Sequence, residues 1–75
     1  MDKFEAMRVF CSVIEAGGFA AAAEQTGLST SAVSRHVAQL EAHLNVRLLN
    51  RTTRRMSPTH AGFAYFERCT QLLAD

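Results

Sequence analysis

Residues 29–44 read STSAVSRHVAQLEAHL, and the periodicity of this stretch decides what fold the chain can adopt. Val33, Val37, Leu40 and Leu44 recur at spacings of four, three and four, which gathers them on one face of a helix. Ser29 is a suitable N-cap, because its hydroxyl can accept from a free backbone N–H of the first turn. Asn45 can end the helix, since Asn tolerates the left-handed conformation just past the last turn. Opposite the valines lie Thr30, Ser31, Ser34, Arg35 and, further along, Gln39. An amphipathic helix with a solvated polar face has this pattern. So does a helix whose N-terminal end enters a DNA major groove, where short polar groups and a guanidinium meet base edges and phosphates.

The preceding segment favours the second possibility. Phe19 to Gly27, FAAAAEQTG, is an alanine-rich helix that ends in glycine. Leu28 turns the chain inward and Ser29 opens the next helix. Ala23, Gly27, Leu28 and Val33 stand in the register of a helix-turn-helix. The small alanine lets two helices approach, the glycine supplies a positive φ in the tight turn, and Leu28 and Val33 bury beneath the crossing.

Charge is distributed to match. The formal net charge is only +1, but residues 1–24 carry Lys3 and Arg8 against Asp2, Glu5, Glu15 and Glu24. Residues 25–66 carry Arg35, Arg47, Arg51, Arg54 and Arg55 against Glu41 alone. The positive charge therefore sits on the 29–44 helix and the segment after it, where a polyanion would bind. Seventy-five residues, 48% hydrophobic and 20% charged, make one small globular domain rather than a disordered chain. Charges at Asp2, Lys3, Glu5 and Arg8 leave no signal peptide or membrane span, which points to the cytoplasm. Cys11 and Cys69 are far apart among apolar helical positions and read as reduced core or interface residues.

The rest of the chain fits around this unit. Asp2 to Ala16 reads as a first helix, capped by Asp2 with Glu5 three residues on, and with Phe4, Met7, Phe10, Cys11 and Ile14 as its apolar stripe. Gly17 and Gly18 break it, and Phe19 turns into the core. After the helix-turn-helix, VRLLNRTTRRMS at 46–57 reads as a short β-hairpin with Arg51, Arg54 and Arg55 at or near its tip. Long-armed arginines on such a wing can reach phosphates or a narrow minor groove. Pro58 stiffens the exit, and Thr59 can cap a last helix over about 60–74. In that helix Ala61 and Gly62 allow close packing. Phe63, Phe66, Cys69 (or Thr70) and Leu73 form one stripe, flanked by Tyr65 and Leu72. A three-helix core cannot obviously bury the whole set, so part of it is expected to meet a partner.

Taken in this order, the chain resembles the N-terminal DNA-binding domain of the LysR-type transcriptional regulators. The most specific matches are TSAVSR at 30–35, the pair Leu40-Glu41, RLLNRTTRR at 47–55 and THAG at 59–62. The likeness runs over nearly the whole chain. It implies a mainly α winged helix-turn-helix: a three-helix core, a short β-hairpin wing, and a long C-terminal helix that links to an effector-binding domain and pairs two subunits. The implied division is residues 1–58 as DNA-binding domain and 59–75 as linker and dimerisation helix. The effector domain is absent from this sequence, so a small-molecule effector enters only through it. The sequence departs from the family pattern at five positions. Gly18 stands where a capping Ser is usual and Thr26 where an apolar residue is; Asn45 replaces Gly, Leu49 replaces Phe, and Pro58 replaces Leu.

The resulting expectation is sequence-specific binding of double-stranded DNA, with Ser29, Thr30, Ser31, Ser34, Arg35 and Gln39 in the major groove and Arg51, Arg54 and Arg55 on the backbone or minor groove. A homodimer through Phe63, Phe66, Leu72 and Leu73 would present two recognition helices to an interrupted inverted repeat. A protein-interaction winged helix has no need of both the polar helix face and the arginine wing. An enzyme or metal protein is disfavoured for want of a constellation: His36 and His43 could share a helix face but lack further ligands nearby, and His60 and the cysteines show no chelating spacing. No cofactor is expected.

Overall fold

The computed structural model describes residues 2–51 and 56–74. Its elements are α1 (Lys3–Ala16), α2 (Phe19–Thr26), α3 (Thr30–Leu44), β1 (Leu49–Arg51), β2 (Met56–Pro58) and α4 (His60–Ala74).

Each boundary has a local cause. Asp2 caps α1, its carboxylate accepting from Glu5 N at 3.2 Å, and the helix closes at Gly17 in the left-handed region at φ 88°. Gly18 enters α2 with no side-chain cap. Gly27, at φ 76°, ends that helix by donating its N–H to Ala23 O. Thr26 strengthens the turn: its hydroxyl donates to Ala22 O at 2.8 Å and accepts from Leu28 N at 3.4 Å. The hydroxyl thus finds its partners within the turn itself. Ser29 caps α3 by accepting from Ala32 N at 3.1 Å, and Asn45 closes it at φ 55°. The strands pair antiparallel with Leu49 opposite Pro58, Asn50 opposite Ser57 and Arg51 opposite Met56. Pro58 ends β2 in this two-stranded edge, where its missing N–H is tolerated.

The core lies between the first three helices and the start of β1. Val9, Phe10 and Val13 from α1, Ala22 and Ala23 from α2, Val33, Val37 and Leu40 from α3, and Leu48 and Leu49 are all buried together. Each large member removed from water contributes about 1.5–3 kcal/mol. The two alanines are the reason α2 can lie close on its neighbours. A smaller cluster of Met7, Cys11 and Cys69, with Tyr65, Phe66 and Leu73 packed on it, joins α1 to α4.

Two expectations about apolar stripes need correction. Phe4 is 63% exposed, because it occupies the first turn of α1, ahead of the residues that face the other helices. On α4, Phe63 is 53% exposed, whereas Tyr65 turns inward, its ring 5.8 Å from that of Phe10. The cause is the docking of α4 through Gly62, which lies against the Leu48 carbonyl. Pointing residue 62 inward places 65, 66, 69 and 73 on the same side and rotates 63 away by about 100°. α4 (His60–Ala74), within the stretch that the sequence sets apart as a linker and dimerisation helix, is thereby packed on the core.

Candidate nucleic-acid interface

The polar face of α3 stands clear of the core. Ser29, Thr30, Ser31, Arg35 and Gln39 are exposed and Ser34 is half-buried, while Val33, Val37 and Leu40 on the opposite face are buried. The separation follows from the helical repeat, since residues 30, 31, 34 and 35 occupy one arc of the first two turns. Two hydroxyls here are already engaged with one another: Ser29 Oγ and Ser31 Oγ lie 3.3 Å apart, besides the bond that Ser29 makes to the first turn. The remaining first-turn N–H groups of α3 give this end a partial positive charge. Arg35 adds a full one, six residues beyond the Ser29 cap.

The hairpin is tied to α3 by a single carboxylate. Glu41 Oε2 accepts from Leu48 N at 2.8 Å and Leu49 N at 3.2 Å, and Oε1 accepts from Arg51 Nη2 at 3.1 Å. The Glu41 side chain is only 14% exposed and that of Arg51 35%. The Arg51 guanidinium also lies over the Phe19 ring, 5.5 Å from its centroid, a cation–π distance. The sequence grouped Arg51 with the DNA-facing cations; in the fold its charge is directed first at Glu41 and Phe19. Arg54 and Arg55, the other two wing cations, lie outside the described residues. Glu41 itself was legible only as part of a family motif. The available signal was that it is the one acid among five arginines in residues 25–66.

The base of the hairpin is held from the other side by Thr59. Its hydroxyl donates to Arg47 O at 2.7 Å and accepts from Gly62 N at 2.9 Å, while its own N–H donates to Leu48 O at 2.9 Å. Thr59 thus caps α4 and anchors the segment leading into β1.

Of the four residues assigned to subunit pairing, Phe63 and Leu72 are exposed, the latter by 62%. Phe66 and Leu73 are half-buried against their own domain. Both cysteines are buried and free. Burial, with the neighbouring Cys69 thiol and Glu15, pushes the Cys11 thiol up to about 12; burial raises Cys69 too. Neutral thiols are the inert form. His36 is half-buried and His43 exposed. Among the described residues no group of three or more His, Cys, Asp or Glu side chains could hold a metal ion, and no helix is long and apolar enough to cross a membrane.

Known proteins share this arrangement. Residues 4–63 match the family described as bacterial regulatory helix-turn-helix protein, lysR family. An HTH-type transcriptional repressor of Pseudomonas aeruginosa is 55% identical over 73 residues, covering 97% of this chain and 23% of that protein. An uncharacterized HTH-type transcriptional regulator of Haemophilus influenzae is 49% identical over all 75 residues, 26% of its own length. The chain thus spans about a quarter of the length of these relatives. Among solved structures, the DNA-binding domain of CbnR in a DNA complex superposes with a TM-score of 0.91 at 38% identity, covering 99% of this chain and 84% of that one.

Proposed function

The chain belongs to the lysR family of bacterial regulatory helix-turn-helix proteins, and from that membership we propose that it binds double-stranded DNA sequence-specifically, as the DNA-binding part of a cytoplasmic transcription regulator. The observation that carries the proposal is the exposed polar arc at the start of α3, backed by a hydrophobic face that fixes its direction. In this reading α3 lies in the major groove. Thr30, Ser31 and Ser34 sit near base edges, Arg35 reads a base or grips a phosphate, and Gln39 and the capping Ser29 flank them. Arg54 and Arg55 supply affinity through phosphates or the minor groove. The chain acts as a binding module rather than an enzyme.

The proposal extends to assembly. Phe63 and Leu72 offer the outward apolar surface of α4, with Phe66 and Leu73 at its edge. Covering that surface with a second copy yields about 25 cal/mol per Å² removed from water. A two-fold pair would place two α3 helices on an interrupted inverted repeat. Any small-molecule effector acts through residues beyond this chain.

The deciding experiment selects duplexes from a randomised pool with the 75-residue chain and titrates Arg35→Ala on the selected site. We expect enrichment of an inverted repeat and a loss of about 1–3 kcal/mol for the variant. A pool that stays unenriched, or an Arg35→Ala variant that binds as tightly as the parent, would defeat the proposal. Sedimentation of the chain with and without the selected duplex tests the pairing; independent monomers at each half-site would exclude it.

A further inference from the structure

We infer that Arg51 and Glu41 act in DNA recognition as positioning residues: a clamp that holds the hairpin at a set orientation to the recognition helix, with Arg51 making no phosphate contact. The inference rests on the DNA-binding reading above.

Glu41 belongs to α3, the same rigid helix that carries Arg35 and Gln39. One carboxylate oxygen takes the N–H groups of Leu48 and Leu49, the buried entry to β1, and the other takes Arg51 from the end of that strand. The two ends of β1 are thereby pinned to one side chain. The Arg51 guanidinium carbon lies over the ring of Phe19, the first residue of α2. One ion pair thus joins α2, α3 and β1, and the direction in which the hairpin leaves the domain is set relative to α3 itself. Charge-assisted bonds donated by backbone N–H groups to a carboxylate whose side chain is mostly covered are among the stronger hydrogen bonds. Their geometry also restricts the strand to one path.

The same contacts withhold Arg51 from the polyanion. Its charge is matched by the one acid in residues 25–66, and reaching a phosphate would require breaking the pair and lifting the guanidinium off the aromatic ring. Simple electrostatics and the clamp therefore predict opposite signs for one substitution. Removing the negative charge of Glu41 beside a DNA-binding face should tighten binding if only the net field matters. It should weaken binding to the correct site if the carboxylate positions the hairpin.

The test uses the 75-residue chain, a duplex selected from a random pool by that chain, and an unrelated duplex of equal length, each titrated over a series of salt concentrations. Arg51→Met keeps the length of the side chain without its charge, Glu41→Gln keeps the shape of the carboxylate, and Arg51→Lys keeps the charge but loses the planar fork. We expect all three to lose about tenfold on the selected duplex, comparable to one misread base pair. Binding to the unrelated duplex and the salt slope should stay as in the parent. The Arg51→Met/Glu41→Gln double variant should lose no more than either single one, since both remove the same clamp. A melt of each variant establishes that it is folded at the assay temperature. Should Glu41→Gln fail to fold, Arg51→Lys against Arg51→Met still decides, because a phosphate contact would survive in the lysine variant. A salt slope flattened by about 0.9 in Arg51→Met would identify a direct phosphate contact and overturn the inference. Tighter binding by Glu41→Gln, or three variants indistinguishable from the parent, would overturn it equally. If the parent chain selects no duplex, the DNA reading itself falls, and this inference with it.

Discussion

Replacing Gly62 by Ala should unseat the first turn of α4. A Cβ at this position would press into the Leu48 carbonyl oxygen and lie 2.8 Å from its carbonyl carbon and 3.2 Å from its Cα. All three atoms are backbone, so no side-chain rotation relieves the overlap. Carbon contacts are comfortable near about 3.5 Å, so the start of α4 must retreat by on the order of 1 Å. That retreat stretches the bonds from Thr59 N to Leu48 O and from Thr59 Oγ1 to Arg47 O, now 2.9 and 2.7 Å. Overpacking of this kind costs about 1–3 kcal/mol, and each weakened hydrogen bond up to about 1 kcal/mol. Alanine returns up to about 1 kcal/mol in helix propensity. The net loss is roughly 2–4 kcal/mol, a large share of the roughly 4–11 kcal/mol available to a domain of this length. A far-UV circular dichroism melt should show the midpoint falling by about 10–25 °C, and a urea titration should show a lower midpoint with an unchanged slope. A variant melting within about 3 °C of the parent would mean a loss under 1 kcal/mol and would refute the view that Gly62 is the docking point of α4.

Three other substitutions have different expected outcomes. Gly18 enters α2 with extended backbone and open space around the position of a Cβ, so Gly18→Ser should stabilise by about 0.5–1 kcal/mol in a urea titration through capping and a stiffer unfolded chain; a destabilised variant would exclude a free N-cap site. The Cys11 thiol ionises at about 12 in the fold against an ordinary 9.0, and a folded-state pKa above the unfolded one gives stability that is complete below pH 9 and lost towards pH 12. Cys11→Ala should therefore flatten the alkaline limb of a stability–pH curve; an equally steep limb would show that this thiol is not its source. Replacing Arg54 and Arg55 together by Ala should reduce the dependence of log K on log salt by about 0.9 per lost phosphate contact, and weaker binding with an unchanged slope would rule out a phosphate role.

How much of this was legible in the sequence depended on the range of the interaction involved. The extents of α1, α3 and α4 could be read from apolar spacing, and that of α2 from its alanine run and closing glycine. Residue type gave the caps at Asp2, Ser29 and Thr59 and the left-handed endings at Gly27 and Asn45. Each depends on residues three or four positions apart and on the intrinsic backbone preferences of single residue types, which act before any helix meets another. The polar arc of α3 was legible for the same reason, because one buried stripe fixes the opposite face. Arginines in a short β-prone segment also marked a hairpin, although not that Arg51 would pair with Glu41.

Tertiary packing decided what periodicity leaves open. A stripe that includes Phe63, Tyr65 and Phe66 is compatible with more than one rotation of α4, and the contact between Gly62 and the Leu48 carbonyl selects the one that turns Tyr65 onto the core and exposes Phe63. Phe4 lies on the apolar stripe of α1, yet among the described residues none covers it, and it stays exposed. Glu41 and Arg51 are ten residues apart and on different elements. Their pairing follows from the path of the chain around the end of α3, where a carboxylate faces the two N–H groups of Leu48 and Leu49 at the entry to β1. Spacing along the chain encodes the faces of an element, whereas its rotation and its partners are set by the closest approach between elements, and that distance exists only in the folded domain.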